Sequence, residues 1–452
     1  MREHLARTWR LGLPLVGSQV AQVLIGVTDT AMLGRYSVEA LAAGTLGHTA
    51  FFSCFVLCSG FAFGVMGLSA DAAGRDDERA VRRAARMGLW LSVLAGAVVM
   101  PLMIWSDPIL RGLGQEAGLA ADAQAYLRIA SLGLVPILVM ATLRSHLSAL
   151  EHTRVLLWAT LAAAAVNVVL NWLLIFGNLG APELGIRGAA IASVAVQVTA
   201  AALLAIYAVR GPGMARWELF RNLHRPDWEV FRKVAALGWP IGLTHLSETA
   251  LFAASALMMG WLGTQALAAH GIAVQVAAAT FMVHLGLSQA ATVRVGRFAG
   301  SGDPSGLRRA AIAAAVLSGC AVAGSMAIYF GAGPAIVRLF LDTNDPQAPA
   351  ILALGVSLLT VAALFQLVDA AQVMALGMLR GLQDTRRPMI YAVIAYWAVG
   401  IPMSYLLGFV WGFGPEGIWL GLVAGLAVAS VSLALRFVNL VPRDGPESAR
   451  VG

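Results

Sequence analysis

Apolar runs of 18 or more residues recur along the whole 452-residue chain, divided by short polar segments. Each run can cross a ~30 Å hydrocarbon layer as a helix. The runs are continuous in Ala, Leu, Val and Gly, without the period-two alternation over ~10 residues that a barrel strand shows. A chain in lipid must satisfy its backbone internally, so helices are expected. The pattern predicts an all-α polytopic membrane protein with twelve spans. They lie at 11–34, 44–71, 87–106, 125–147, 155–177, 187–209, 235–262, 270–296, 309–331, 351–378, 388–411 and 415–438.

The charges fix the orientation. Segments on one side of the predicted membrane hold 26 of the 31 Lys and Arg, and the other side holds only Arg35, Arg111, Arg128, Arg187 and Arg338. Basic residues stay on the cytoplasmic side, so both termini are expected in the cytoplasm and the span count is even. This placement accounts for the net charge of +7 without a nucleic-acid partner. Hydrophobic residues make up 59% of the chain and charged ones 12%, against roughly 25% charged in soluble domains. The first apolar stretch carries Asp29 and no clear cleavage site, so it reads as a span rather than a removed leader. Cys54, Cys58 and Cys320 lie in apolar stretches and suggest neither a disulfide framework nor a zinc site.

The chain also repeats itself. A shift of 226 residues puts Leu11-Gly12 on Leu237-Gly238, Pro14 on Pro240, and Ala40–Ala43 on Ala266–Ala269. It also puts Gly60 on Gly286 and Arg82-Arg83 on Arg308-Arg309. The expected organisation is a six-helix N-terminal lobe (1–209), a cytoplasmic linker (210–234), a six-helix C-terminal lobe (235–440) and a cytoplasmic tail (441–452). Two pseudo-symmetric lobes of six spans share one orientation. That arrangement predicts a two-fold axis along the membrane normal and a site where the halves meet. The longest polar segment is too short for a soluble catalytic module, and no phosphate loop, metal-ligand cluster or nucleophile–base pair is evident. Ser59-Gly60 lacks the partner spacing an intramembrane protease needs. An enzyme is therefore not expected, nor a cofactor or structural metal.

Three acids lie inside predicted spans: Asp29, Glu248 and Asp369. A charge there costs at least ~2.5–3.5 kcal/mol on insertion scales, so each calls for a reason. No Lys or Arg falls mid-span to pair with them, which points to cation handling. The repeat sets Gln22 opposite Glu248 and Ser255 opposite Asp29, so the shared fold does not itself require the acids. Asn167 and Asn171, four apart, share a helix face and could line one pocket with Asp29. His48, His146, His245 and His284 read as packing or hydrogen-bonding residues. Pro14, Pro240 and Pro402 mark expected kinks.

Several segments in order carry a resemblance. They are Leu13-Pro14, Ile25–Gly34, Ala40–Ala43, Val166–Trp172, Ala268–His270, Phe365–Gln372 and Leu379–Thr385. Over nearly its whole length the chain resembles the multidrug and toxic compound extrusion (MATE) transporters, in particular their bacterial NorM-like branch. The resemblance implies export of cationic or amphipathic drugs in exchange for Na⁺ or H⁺, from a bacterial inner membrane. By motif Asp29 corresponds to the N-lobe acid, and Glu248 and Asp369 to the C-lobe acids that hold the coupling cation, possible Na⁺ ligands. Two positions depart from the pattern. Phe365 stands where some sodium-coupled members carry tyrosine, and Asn171 where some proton-coupled members carry a second N-lobe acid. The intact C-lobe pair favours Na⁺. The partners implied are small-molecule drugs and the lipid bilayer, with the protein a monomer. A lipid-linked oligosaccharide flippase of the same wider superfamily is the alternative; an anionic pyrophosphate cargo would call for cationic span interiors, and these are acidic.

Overall fold

The computed structural model describes residues 1–341 and 346–441; the expected tail lies outside the described residues from position 442 on. Twelve long helices follow one another: α1 (Arg2–Tyr36), α2 (Val38–Gly74), α3 (Glu78–Ile104), α4 (Ala117–Ala149), α5 (Arg154–Phe176), α6 (Ile186–Arg210), α7 (Trp228–Leu262), α8 (Thr264–Gly300), α9 (Pro304–Arg338), α10 (Ala348–Gly381), α11 (Arg386–Val410) and α12 (Gly414–Leu440). All twelve predicted spans fall on these helices, in order. Several overshoot the bilayer: α2 has 37 residues, about 55 Å at 1.5 Å per residue.

Eleven of the twelve are long and apolar enough to cross a membrane by composition. The other, α7, has the length, at 35 residues, but Thr244, His245, Ser247, Glu248 and Thr249 crowd its middle. The helix that falls short of the hydropathy of its neighbours thus carries one of the three candidate acids, Glu248.

Local chemistry sets the helix ends. Ser37 Oγ accepts from Ala40 N at 3.0 Å to start α2. Asp77 Oδ1 accepts from Ala80 N at 2.9 Å to start α3, and Asp303 Oδ1 accepts from Gly306 N at 2.8 Å to start α9. Such caps satisfy otherwise orphaned first-turn donors. Asp77 and Asp303 are 226 residues apart, so the repeat in the sequence is also a repeat of caps. Gly177 ends α5 with φ of 68°, left-handed backbone that glycine adopts at little cost.

The chain divides into two compact units, Gly17–Leu243 and Met1–Val16 with Thr244 onward. The divisions fall within α1 and its counterpart in the repeat, α7, just beyond Pro14 and Pro240. Each unit has a close backbone contact at equivalent positions. In the first, a Cβ on Gly60 of α2 would fall on the backbone of Gly238 and Gly242 of α7. In the second, a Cβ on Gly286 of α8 would lie 2.7 Å from Val16 Cα of α1. Small residues allow such approaches, which substitute for hydrophobic driving force in lipid. The second unit packs Phe365, Tyr396 and Trp419, all nearly or fully buried, into one core. Large apolar side chains such as Val98, Leu102, Trp158 and Ile328 remain exposed on the helices, as a lipid-facing surface requires.

In the first unit the 210–234 segment folds back on α3. Trp217 is buried and its carbonyl accepts from Arg82 Nε at 2.9 Å. Arg86 Nη1 reaches Asn222 O at 3.2 Å, and Trp90 Nε1 donates to Leu223 O at 2.8 Å.

Candidate cation sites

In the first unit α1 and α5 bring Asp29 against two asparagines. Asn167 Nδ2 and Asn171 Nδ2 both donate to Asp29 Oδ1, at 2.8 and 2.5 Å. Ser193 Oγ of α6 lies 3.5 Å from Oδ2. The i, i+4 spacing of the asparagines puts both amides on one face, and both side chains are fully buried. Beside them is a small cavity of about 70 Å³, lined among others by Thr30, Thr45, His48, Tyr126 and Ser193. No Lys or Arg bonds Asp29 among the described residues. An ionised carboxylate supported only by neutral donors in a low-dielectric setting keeps an uncompensated charge, and a metal cation or a proton removes it.

The second unit holds Glu248 on α7 and Asp369 on α10. Asp369 is 4% exposed, and its Oδ1 has no hydrogen-bond partner among the described residues. Gln372, one turn further along α10, donates from Nε2 to Glu248 Oε1 at 3.2 Å. On the other side Arg380 Nη2 lies 3.1 Å from His245 Nε2, and His245 Nδ1 is 4.0 Å from Glu248 Oε2. A guanidinium only donates, so Nε2 accepts and the neutral ring carries its proton on Nδ1, the nitrogen that faces Glu248. Arg380 sits near the end of α10, but its long side chain turns inward to His245.

The remaining residues singled out in the sequence are dispersed. Gln22 is held by Arg144, whose Nη1 donates to its Oε1 at 3.1 Å; it is not among the residues lining the Asp29 cavity. Phe365 is 1% exposed and packs edge-on against Phe252 and Trp419, with centroids 5.8 and 5.4 Å apart. Pro14 and Pro240 lie inside unbroken helices. Pro402 sits between two π-helical turns of α11, Ala395–Gly400 and Leu406–Val410.

The comparisons with known proteins agree with this architecture. Residues 14–173 and 240–406 match the MatE family model. The chain belongs to the MATE family. Its relatives include the probable multidrug resistance protein NorM of Rhizobium meliloti, 45% identical over 97% of this chain and 94% of that one. The corresponding protein of Agrobacterium fabrum is 40% identical over 98% and 95%. Among solved structures, the eukaryotic MATE transporter AtDTX14 has a TM-score of 0.86 at 20% identity over 97% and 96% of the two chains. An outward-facing multidrug resistance MATE transporter of the MOP superfamily has 0.87 at 21%, over 97% and 96%. As a MATE protein this chain is a polytopic membrane transporter of two six-helix lobes, and not an enzyme.

Sequence reasoning passed over several residues at these acids. His48 and His245 read as packing or hydrogen-bonding residues, and His245 does hydrogen-bond Arg380; that it stands three residues before Glu248, and so shares its helix face, was the signal for its place beside the acid. Gln372 stands three residues after Asp369 and shares its helix face.

Proposed function

We propose that this MATE protein is a secondary active multidrug exporter. It moves organic cations and amphipathic drugs outward in antiport with Na⁺ or H⁺, by alternating access of its two repeats. Glu248 and Asp369 hold the coupling cation, and Asp29 with Asn167 and Asn171 forms a second cation-responsive site. The observation that carries this reading is the presence, in both compact units, of carboxylates inside the expected spans, half-buried at Asp29 and Glu248 and buried at Asp369, supported largely by neutral donors. The names of the NorM relatives agree with drug cargo. The protein is placed as a monomer in a bacterial inner membrane with both termini cytoplasmic, and residues 210–234 act as the linker between lobes.

The test uses purified protein in proteoliposomes, with dye efflux measured under a Na⁺ gradient and, separately, an H⁺ gradient. Wild type exports dye under at least one. Glu248→Gln and Asp369→Asn each abolish gradient-driven export while the protein remains monodisperse. Normal transport by both variants would sink the reading. Scrambling of a pyrophosphate-linked lipid without dye export would favour the flippase instead.

A further inference from the structure

Near the C-terminal end of α8, Arg294 is 5% exposed and reaches the first turns of α1. Its Nη1 donates to His4 O at 2.5 Å and to Thr8 Oγ1 at 2.6 Å. Its Nη2 lies 3.0 Å from His4 Nδ1. Thr8 is fully buried, and its hydroxyl donates in turn to His4 O at 2.8 Å. The Phe298 ring lies beside both partners, its centroid 5.7 Å from that of the imidazole and 5.6 Å from the guanidinium carbon. All of these residues belong to the second compact unit, which includes Met1–Val16 of α1. Hydrogen bonds from a charged donor are roughly twice as strong as neutral ones, so this cluster ties the start of α1 to α8.

The repeated fold does not require it. The 226-residue shift puts Leu68 opposite Arg294, Val230 opposite His4 and Val234 opposite Thr8. One copy is aliphatic at all three positions, and the other carries a cation and a titratable ring. A guanidinium only donates, so His4 Nδ1 accepts and the proton of the neutral ring sits on Nε2. A proton on Nδ1 would remove the acceptor and set two cations 3.0 Å apart.

We propose that His4 and Arg294 form a proton-released latch: it holds the start of α1 on α8 while the imidazole is neutral, and lets go when the side of the membrane that holds the N-terminus acidifies. In the proposed orientation that side is the cytoplasm. His4 precedes the expected first span at 11–34 and is half-buried, so water reaches the ring. Burial first, and then Arg294 of α8, the N-terminal ammonium and Arg309 of α9, hold its value below the usual histidine range; Glu3 opposes them. The latch therefore stabilises fully above the unfolded histidine value of about 6.5. It is lost as pH falls through the lower folded value, the region in which histidine serves as a switch.

The test is a pulsed electron paramagnetic resonance distance between nitroxides on Arg2→Cys and Ser301→Cys, both exposed positions. It uses the full chain in nanodiscs, with Cys54, Cys58 and Cys320 replaced by alanine. With His4 in place, the distance distribution is expected to be narrow at pH 8 and to lose its narrow component at pH 4.5. His4→Asn sets an amide oxygen that does not titrate where Nδ1 stands, and is expected to stay narrow at both. Melting temperature is the second readout: His4→Ala should melt below wild type at pH 8, and the gap should close by pH 4.5. The same pH response with His4 and with His4→Asn, or none with His4, would overturn the latch. A His4→Ala gap that persists in acid would overturn it as well.

Discussion

Asn171 Nδ2 and Asp29 Oδ1 meet at 2.5 Å, and Asn167, one turn earlier on α5, donates to the same carboxylate oxygen at 2.8 Å. Two neutral donors on one oxygen stabilise the ionised acid without cancelling its charge. In the proposed scheme Asp29 acts beside the separate Glu248/Asp369 pair, so that more than one cation enters per drug exported and transport is electrogenic. One charge is worth ~2.3 kcal/mol per 100 mV. Wild type is expected to export a monovalent dye faster when the drug-loaded, cytoplasm-equivalent side is negative. Asp29→Asn is expected to lose or weaken that response. Voltage-independent transport by wild type, measured with a valinomycin-set potential, would rule out the two-site scheme.

The α2–α7 contact should tolerate no added carbon. A Cβ on Gly60 meets the backbone of Gly238 and Gly242, which cannot move aside as a flexible side chain would. Gly60→Ala is expected to lower stability by about 1–3 kcal/mol, the range for overpacking. Gly319→Ala on α9 meets nothing within 4 Å and should be neutral or slightly stabilising, since alanine favours the helix. Melting temperatures of the two variants in detergent should therefore diverge; equal values would contradict the close approach.

Asp227 precedes α7 and lies outside the spans. The hydrogen bond from Arg83 is the main cause holding its carboxyl below the usual aspartate range, opposed by desolvation and aided by the Val230 N–H. A depressed folded value means the interaction stabilises fully above the unfolded value of about 4 and is lost as pH falls through the folded one. Arg83 is 35% exposed, so the pair is screened and worth about 1 kcal/mol. Asp227→Asn should melt below wild type at pH 7, with the gap closing as pH falls under about 4. A gap that persists in acid would show that charge is not its cause.

Orientation can be read from single cysteines. Ser301, in the α8–α9 connection, and Leu179, after α5, are both exposed. On the charge asymmetry, Ser301→Cys should react with a membrane-impermeant maleimide only after the cells are permeabilised, and Leu179→Cys without it. The reverse pattern would invert the topology.

Sequence alone determined the twelve spans, their register and the 226-residue repeat. Lipid imposes those features directly, through apolar length, internal backbone pairing and the side on which arginine is tolerated. It also exposed Asp29, Glu248 and Asp369, because an acid in an apolar run stands out, and it linked Asn167 to Asn171 by helical spacing. Tertiary structure alone decided the partners of those acids. Gln22 went to Arg144, and His245 became the bridge from Arg380 to Glu248. These outcomes depend on how each helix is rotated about its axis and on the reach of an arginine side chain. Hydropathy along a chain records how deep a residue sits in the bilayer and is blind to the direction in which it points.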